Sequence, residues 1–306
     1  MLYPILLEPI FKEMVWGGDK LKKLFGFDIP SDNTGEAWVV SCRDNEMCIV
    51  KNGIYEGKRF IDVIDTNREG FLGKKLFTKD KFPILIKNID ANDNLSIQVH
   101  PNDNYAKKVE KLTSGKNEMW YILDAKEDSK LIIGLKEEIG KSEFKNGIES
   151  GSLESIVNYL PVKKGDVINI PAGMIHAITK DVVVLEIQQN SDITYRIYDY
   201  NRVGLDGKPR DLHIDQSMDN IDFSVKLKNH SINGLEVVEG DCVKTYYISN
   251  NYFSIIKYDL KGAMIESSNK NYFFVYSCVE GQAKFIFHNE EFIIEYGHSI
   301  FIPAAL

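Results

Sequence analysis

Cysteine is scarce in this 306-residue sequence, and no two cysteines are closely spaced. The four are Cys42, Cys48, Cys242 and Cys278, and none belongs to a CxxC motif. Small secreted domains that depend on disulfides are short and dense in cysteine, and this chain is neither. We therefore expect four reduced thiols that lie half-buried in the core.

Long apolar segments are also missing. No run approaches the roughly 18 residues that a helix needs to cross a bilayer. The N-terminal stretch MLYPILLEPIFKEM has no basic leader and no small-residue cleavage site, and it contains Glu8 and Glu13. These features argue against a signal peptide. We expect a cytoplasmic protein with no membrane partner.

An excess of positive charge is the third absence. The formal net charge of −8 argues against nonspecific nucleic-acid binding, and no basic patch or helix-turn-helix pattern is visible. A phosphorylated small substrate stays compatible with this charge, because a few lysines and arginines can outweigh the global field inside a pocket. The length suits one large domain or two of ordinary size. The oligomeric state is not indicated.

Short apolar runs rich in Val, Ile, Tyr and Phe dominate the sequence, and turn residues separate them. Examples are FPILIKNI, LSIQVH, VVVLEIQ, NYFFVYS and EFIIEYG. This pattern predicts a mainly β protein. Two amphipathic stretches, residues 103–115 and 138–158, are typical of helices instead, and glycine interrupts the second. We interpret both as small helical insertions on a β scaffold.

An internal repeat predicts two similar β units. Residues 165–173 (GDVINIPAG) match residues 297–305 (GHSIFIPAA) in their turn glycine, alternating strand and Pro-Ala pair. Chance similarity is the alternative, and the matched glycine together with the alternation favours the repeat. We expect a catalytic unit over residues 1–235 and a smaller β unit over residues 236–306, with the connection in the polar stretch 201–235.

The two copies of the repeat lead into different sequence. The first continues through Met-Ile-His into the strand VVVLEIQ, whereas the second reaches Leu306 without a histidine or a further strand. We therefore expect chemistry in the first unit and a structural role for the second. The second unit should also lack one strand, so that it is either the less stable half or is completed by contact with another segment.

Four polar side chains form a candidate metal site. Gln98 and His100 point to the same face of a strand that Pro101 ends. Glu118 opens the apolar run MWYIL, where a carboxylate is costly unless it is paired or bound to a metal. His176 follows the Pro-Ala-Gly turn. Each residue alone has an ordinary interpretation, but this mixed set of oxygen and nitrogen ligands suits zinc with an open position for catalysis.

Several segments together resemble the type I mannose-6-phosphate isomerases of the cupin superfamily, in their short bacterial form. They are WGGDKL, TGEAWVVS, FPILIKNIDANDNLSIQVHPND, KNEMWYIL, PAGMIHAI and EIQQNSDITYRIYDYNR. The likeness covers about the first 200 residues and extends more weakly beyond them. It implies a bicupin with two jelly-roll units. It also implies a zinc-dependent aldose–ketose isomerase that interconverts mannose 6-phosphate and fructose 6-phosphate, with one zinc held by Gln98, His100, Glu118 and His176.

The resemblance further implies that Arg196, Lys116 and Lys87 line the pocket. Arg196 brings a planar fork of donors to an enediolate or a phosphate, and Lys116 relays a proton or binds an oxyanion, so both are candidate catalytic residues. Lys87 is a candidate substrate-binding residue. Each has an alternative: Arg196 pairs with Asp192 or Asp199, Lys116 is a solvated turn lysine, and Lys87 extends out of the sheet.

Trp16 and the reaction itself also leave alternatives open. The indole of Trp16, beside a Gly-Gly turn, stacks on a sugar face or packs in the core. The general base has no sequence signature. A metal-dependent cupin oxygenase or epimerase more often carries two histidines in an HxH pair, where this chain has Gln98. A non-catalytic sugar-phosphate-binding regulator usually adds a DNA-binding or partner-binding segment, which is not apparent here.

Overall fold

The computed structural model describes residues 1–225 and 232–306, and this part of the chain is mainly β, as predicted. The strands of the N-terminal part are β1 (Ile5–Glu8), β2 (Ile10–Gly18), β3 (Thr34–Val40), β4 (Cys42–Arg43), β5 (Glu46–Met47), β6 (Ile49–Val50), β7 (Ile84–Ala91), β8 (Ile97–Val99), β9 (Glu118–Ala125), β10 (Lys130–Leu135), β11 (Val157–Pro161), β12 (Val167–Ile170), β13 (His176–Ile178), β14 (Val182–Gln189) and β15 (Tyr195–Tyr198). The C-terminal strands are β16 (Leu235–Glu239), β17 (Cys242–Ser249), β18 (Ser254–Leu260), β19 (Phe274–Ser277), β20 (Gln282–Phe287), β21 (Glu290–Glu295) and β22 (Ser299–Ile302).

The helices are short and lie between the strands. They are α1 (Lys20–Phe25), α2 (Phe60–Asp65), α3 (Arg68–Leu72), α4 (Asp103–Lys108), α5 (Lys141–Glu149), α6 (Leu153–Ile156) and α7 (Ile214–Asn220), with a 3-10 turn at Gly53–Tyr55. No described helix is long and apolar enough to span a membrane.

Both predicted helical stretches contain helix, but less of it than expected. Asn102 caps α4 by accepting a hydrogen bond from the backbone N–H of Tyr105, and the helix ends well before residue 115. The second stretch divides into α5 and α6, because Gly151 adopts a left-handed conformation (φ 68°) that breaks the helix. The other four helices were not predicted.

Two sheets form the first unit and enclose its core. One has the order β12-β9-β14-β7-β3-β2, and the other has the order β11-β10-β13-β8-β15. Trp120, Ile168 and Ile89 from the first sheet pack with Leu131 and Ile178 from the second. The far face of the larger sheet packs against the C-terminal strands, so β14 is buried along its whole length. This explains why apolar residues dominate VVVLEIQ on both faces of the strand.

The repeat seen in the sequence is present in the structure. Gly165 and Gly297 both adopt left-handed backbone conformations (φ 92° and 81°), and the strands β12 and β22 follow them. A Cβ atom at Gly297 would lie 2.4 Å from the ring of Phe25, so only glycine fits there. The matched glycines therefore have a physical reason at both positions.

The N-terminal strand completes the sheet of the second unit. This sheet has the order β19-β22-β1-β6, and Ile5 of β1 lies opposite Phe301 of β22. Of the two outcomes expected for the second unit, completion by another segment is the one observed at β22. The division at residue 235 stays a prediction, and residues 226–231 of the expected connection lie outside the described residues.

All four cysteines are free thiols, as expected, and they are buried rather than half-buried. Burial raises the pKa of Cys48 to about 12, so this thiol stays protonated at neutral pH.

Candidate metal centre

Three neighbouring strands of the smaller sheet bring the predicted residues into one row. Gln98 on β8 lies directly opposite His176 on β13 and, on its other side, opposite Arg196 on β15. Residues that face each other across antiparallel strands project to the same side of the sheet. His100 lies two residues after Gln98, so it belongs to the same face, and Glu118 reaches this point from the start of β9.

The side chains of His100, Glu118 and His176 converge on one buried point. The Nε2 atom of His100 lies 3.1 Å from Nε2 of His176 and 3.1 Å from Oε1 of Glu118. The distance from Nε2 of His176 to Oε2 of Glu118 is 3.7 Å. The amide Nε2 of Gln98 lies 3.5 Å from Nε2 of His176. The exposed fractions of His100, Glu118 and His176 are at most 1%. The predicted set is therefore assembled.

The hydrogen bonds of the two imidazoles leave their lone pairs facing each other. Nδ1 of His100 lies 2.8 Å from the carbonyl oxygen of Ile193, and Nδ1 of His176 lies 2.9 Å from that of Met174. A carbonyl only accepts, so we assign the ring proton to Nδ1 in both residues. Burial lowers the pKa of His176, and burial with the nearby Lys116 lowers that of His100 to about 3. Both rings are thus neutral at pH 7.

Two lone pairs and a carboxylate that meet in a buried space repel one another unless a cation lies between them. Burial raises the pKa of Glu118, but the charge of the adjacent Lys116 outweighs it, so this pKa lies well below its usual value. Oε2 of Glu118 accepts no hydrogen bond from a described residue, and Oε1 lies 2.7 Å from the ammonium of Lys116. The three residues therefore form a group that can bind a metal ion.

Lys116 lies inside the site and not in a solvated turn. Its ammonium is 2.7 Å from Oε1 of Glu118 and 3.3 Å from Nε2 of His100, and its exposed fraction is 4%. The backbone N–H of Lys116 donates to the carbonyl of Pro101, which ties the loop after β8 to the start of β9. The alternative interpretation of this lysine is thereby excluded.

Arg196 has a buried donor that is free among the described residues. Its Nη1 donates to the carbonyl oxygen of Asp211 at 2.8 Å, and its Nε is buried with no partner among the described residues. The expected alternative partners are engaged elsewhere, since Asp192 pairs with Arg43 and Asp199 pairs with two other arginines. The Nε–H group of Arg196 is therefore unused, and it belongs to a residue that lies opposite Gln98 on the adjacent strand.

The comparisons with known proteins agree on one family. Residues 5–146 match the phosphomannose isomerase type I catalytic domain, and residues 242–306 match the mannose-6-phosphate isomerase cupin domain. The probable mannose-6-phosphate isomerase GmuF of Bacillus subtilis is 40% identical over 99% of this chain and 94% of its own length. The mannose-6-phosphate isomerase ManA of the same organism is 37% identical with the same coverage. The chain belongs to the type I mannose-6-phosphate isomerase family.

Solved structures give the same result for the fold. The mannose 6-phosphate isomerase from Bacillus subtilis superposes with a TM-score of 0.91 at 35% identity, over 98% of this chain and 94% of that one. A point mutant of the phosphomannose isomerase from Salmonella typhimurium reaches a TM-score of 0.77 at 18% identity, over 99% and 95% of the two chains. The bicupin fold and the isomerase class expected from the sequence are thereby confirmed.

Lys87 of this isomerase is clamped inside the first unit. Its ammonium lies 3.4 Å from Glu36 and 3.5 Å from Glu186, and 5.0 Å from the ring centroid of Trp38. Burial lowers the pKa of Lys87, but the two carboxylates outweigh it and raise the pKa above its usual value. The lysine is therefore a fixed buried cation that does not extend out of the sheet. Its contact with substrate stays a prediction.

Two indole groups hold the carboxylates of this clamp. Nε1 of Trp38 donates to Glu36 at 2.6 Å, and Nε1 of Trp120 donates to Glu186 at 2.9 Å. The role of Glu186 was missed in the sequence, although an acidic residue inside VVVLEIQ carries the same signal as Lys87 inside FPILIKNI. Burial and the nearby charge of Glu118 raise the pKa of Glu186.

Trp16 lies in the core of the first unit. Its exposed fraction is 3%, and it packs in one cluster with Ile89, Leu95 and Trp120. This burial supports core packing, which was one of the two interpretations of the sequence. A contact of Trp16 with a sugar face stays a prediction.

A hydrogen-bonded network supports the segment that carries Lys116 and Glu118. The side chain of Asn117 donates to Oε1 of Gln189 at 2.7 Å and accepts from the backbone N–H of Ala172 at 3.0 Å. Gln189 in turn donates to Asp103 at 3.0 Å. These polar residues were not singled out in the sequence, because their partners lie far apart along the chain.

Proposed function

We propose that this chain is a zinc-dependent aldose–ketose isomerase that interconverts mannose 6-phosphate and fructose 6-phosphate through an enediol. The observation that carries the proposal is the convergence of two imidazole nitrogens and a buried carboxylate on one point. The relatives named above as mannose-6-phosphate isomerases support the substrate. A small phosphorylated sugar is also consistent with the cytoplasmic location expected from the sequence.

One zinc ion per chain would be held by Gln98, His100, Glu118 and His176. Ligand atoms about 2.1 Å from a tetrahedral zinc lie about 3.4 Å from one another, and the donor separations of 3.1 to 3.7 Å surround this value. For Gln98, a half-turn of the amide brings its oxygen to the position of its nitrogen. When bound, zinc supplies Lewis-acid polarisation of carbonyl and hydroxyl oxygens.

The protein's own cations complete the proposed site. Lys116 lies just before β9 and Arg196 lies on β15 opposite Gln98. Each offers N–H donors where negative charge develops on the enediolate oxygens. Lys116 also relays a proton between neighbouring oxygens in this proposal. Lys87 contributes a permanent positive charge to substrate binding. We assign Trp16, together with Lys87, to the wall of the substrate pocket. The burial of the ligand set keeps bulk water away from the reacting atoms.

A coupled assay on mannose 6-phosphate, with and without a chelator, tests the proposal. We expect turnover that is lost in the chelator and restored by zinc. Sugar-phosphate binding without turnover by the zinc-loaded protein would overturn the proposal in favour of a regulator. Oxygen consumption without isomerisation would favour a cupin oxygenase.

A further inference from the structure

The orientation of the free Nε–H group of Arg196 depends on residues 211–213, which run beside Arg196. Besides the bond from Nη1 to the carbonyl of Asp211, the backbone N–H of His213 donates to the carbonyl of Arg196 at 2.7 Å. The backbone N–H of Arg196 points to Nδ1 of His213 at 3.2 Å. Residues 211–213 therefore fix both the backbone and one end of the guanidinium of Arg196.

The segment is itself anchored by a buried carboxylate. Arg210 donates from Nε to Oδ2 of Asp199 at 2.7 Å and from Nη2 to Oδ1 at 2.5 Å. This two-point contact fixes orientation as well as distance. The exposed fraction of Asp199 is 5%, and Arg202 occupies its remaining acceptor capacity with contacts of 3.1 and 2.9 Å to Oδ1. Arg210 is thus held immediately before Asp211.

The backbone between β15 and this segment needs such an anchor. Tyr200 and Asn201, which come directly after Asp199, both adopt left-handed conformations, with φ 57° and 53°. Two consecutive non-glycine residues in this region are strained and persist only where surrounding contacts impose the conformation. The Asp199–Arg210 pair closes the strained turn and returns the chain alongside Arg196.

We propose that Asp199 and Arg210 are positioning residues that hold the guanidinium of Arg196 with its Nε–H directed at the substrate. This inference rests on the proposed function, because it assigns Arg196 to the reaction. The pair fixes the carbonyl of Asp211, and that carbonyl holds one N–H of Nη1. Because the guanidinium is planar, its buried Nε–H then keeps one direction. Loss of the pair frees the segment and lets the guanidinium adopt other rotamers.

A matched pair of variants separates positioning from the loss of an ion pair. Arg210→Gln and Arg202→Gln each remove one arginine from Asp199, but only Arg210 adjoins the residue that holds Arg196. We expect Arg210→Gln to lower kcat on mannose 6-phosphate by about ten- to a hundredfold with unchanged zinc content, the scale of a small misplacement of a catalytic group. Arg202→Gln should change kcat by less than about threefold. Similar losses in the two variants would contradict the proposal.

A double-mutant cycle tests whether Arg210 acts through Arg196. In the Arg196→Ala background, Arg210→Gln should cause no further loss of kcat, because the group that it positions is absent. Equal losses in both backgrounds would overturn the proposal. Arg210→Lys, which keeps the charge but lacks the fork, should fall between Arg210→Gln and the wild type and serves as the second variant if Arg210→Gln does not fold.

A spectroscopic readout distinguishes failure of this inference from failure of the proposed function. The Nε–H signal of Arg196, identified by its disappearance in Arg196→Ala, should stay in place in Arg202→Gln and shift or broaden in Arg210→Gln. A signal that is unchanged in Arg210→Gln overturns the positioning role whatever the activity. No isomerase turnover in the zinc-loaded wild type, together with a shifted signal in Arg210→Gln, would overturn only the proposed function.

Discussion

At the scale of single residues, the chemistry open to the candidate metal centre depends on which ring nitrogen of each histidine carries its proton. His100 and His176 both donate from Nδ1 to a backbone carbonyl, which leaves the lone pair of Nε2 free in each. Such outer contacts orient metal-binding histidines in general. Without a cation, the same contacts would hold lone pairs together at 3.1 Å. With the ammonium of Lys116 beside them, these atoms form a buried group that can bind a metal ion.

The convergence of these side chains could be predicted because they depart from the expected pattern of a strand; their role as metal ligands stays a prediction. Gln98 and His100 are polar at alternating positions, and Glu118 stands at the start of an apolar run. Of the buried cluster of Lys87, Glu36 and Glu186, only Lys87 was singled out from the sequence. Glu186 carries the same signal, but its partner lies about a hundred residues earlier in the chain, and no local pattern pairs the two.

Replacing both histidines should remove the metal. We expect the double variant His100→Ala, His176→Ala to lose zinc, because two of the four donors disappear from a buried site. Elemental analysis of the purified protein measures the zinc content. His288→Ala, which changes an exposed histidine, is the control and should keep one zinc per chain. Zinc at wild-type stoichiometry in the double variant would refute the assigned ligands.

Removing the guanidinium of Arg196 should affect turnover and little else. We expect Arg196→Ala to lower kcat by about a hundredfold or more, the scale observed when one preorganised oxyanion donor is lost. Arg196→Lys should recover little activity, because an ammonium lacks the planar fork. Steady-state kinetics with zinc analysis and thermal unfolding check this. Near-wild-type activity in the alanine variant would leave Arg196 as a structural residue.

At the scale of elements, strands were predictable and short helices were not. Alternation and β-branched composition persist over strands such as β7 and β14, whereas α1 and α2 contain six residues each. Six residues complete less than two helical turns, so no 3.6-residue period develops. The registers that bring Gln98 beside Arg196 and His176 were also beyond prediction, since these pairings join residues some 80 to 100 positions apart.

The turn after β15 provides a pH-dependent contribution to stability. Burial raises the pKa of Asp199, but the bonds from Arg210 and Arg202 outweigh burial and lower the pKa below its usual value. A carboxylate whose pKa is lower in the folded state stabilises the fold fully above the unfolded-state value, about 3.9, and loses this contribution as pH falls through the folded value. We expect Asp199→Asn to be destabilised at neutral pH.

Chemical denaturation of the wild type and Asp199→Asn between pH 7 and pH 3 measures this contribution. The difference in unfolding free energy should be constant near neutrality and shrink below about pH 4. Asp181→Asn is a suitable control, since Asp181 pairs with Lys126, an exposed lysine, and such pairs contribute about 0 to 1 kcal/mol. A difference for Asp199 that stays constant down to pH 3 would contradict the assignment.

At the scale of the whole molecule, the two units are joined by strand pairing as well as by a connection in the chain. β1 and β6 belong to the N-terminal part of the sequence, yet they extend the sheet that contains β19 and β22. The repeat predicted two similar units, because matched turn glycines and strands are local features. It did not predict β1 as the partner of β22, because a four-residue apolar strand has no signature of its partner.

Hydrogen exchange should reveal unequal stability across the molecule. β14 is buried on both faces and pairs with β7 and β9, whereas β20 pairs only with β21 within the described residues. Amides that lie in doubly paired, buried strands open only when their own unit unfolds, and those in two-stranded sheets open locally. We therefore expect β20 and β21 to exchange faster than β8 and β14, with β22 in between.

Weakening β1 tests the reason for this order. The side chain of Ile5 is fully buried opposite Phe301, so Ile5→Ala should leave a cavity and cost about 2 to 5 kcal/mol. Protection from exchange should fall at β22 and stay unchanged at β8, because β8 and the predicted ligand residues lie within the first unit. Ile286→Ala, at an exposed position of β20, is the control and should leave β22 unaffected.

Slower exchange in Glu290–Glu295 than in Ile97–Val99 would show that the C-terminal unit is not the weaker half. An equal loss of protection at β8 and β22 in Ile5→Ala would show that the two units unfold as one, since damage at the shared sheet would then reach the metal centre.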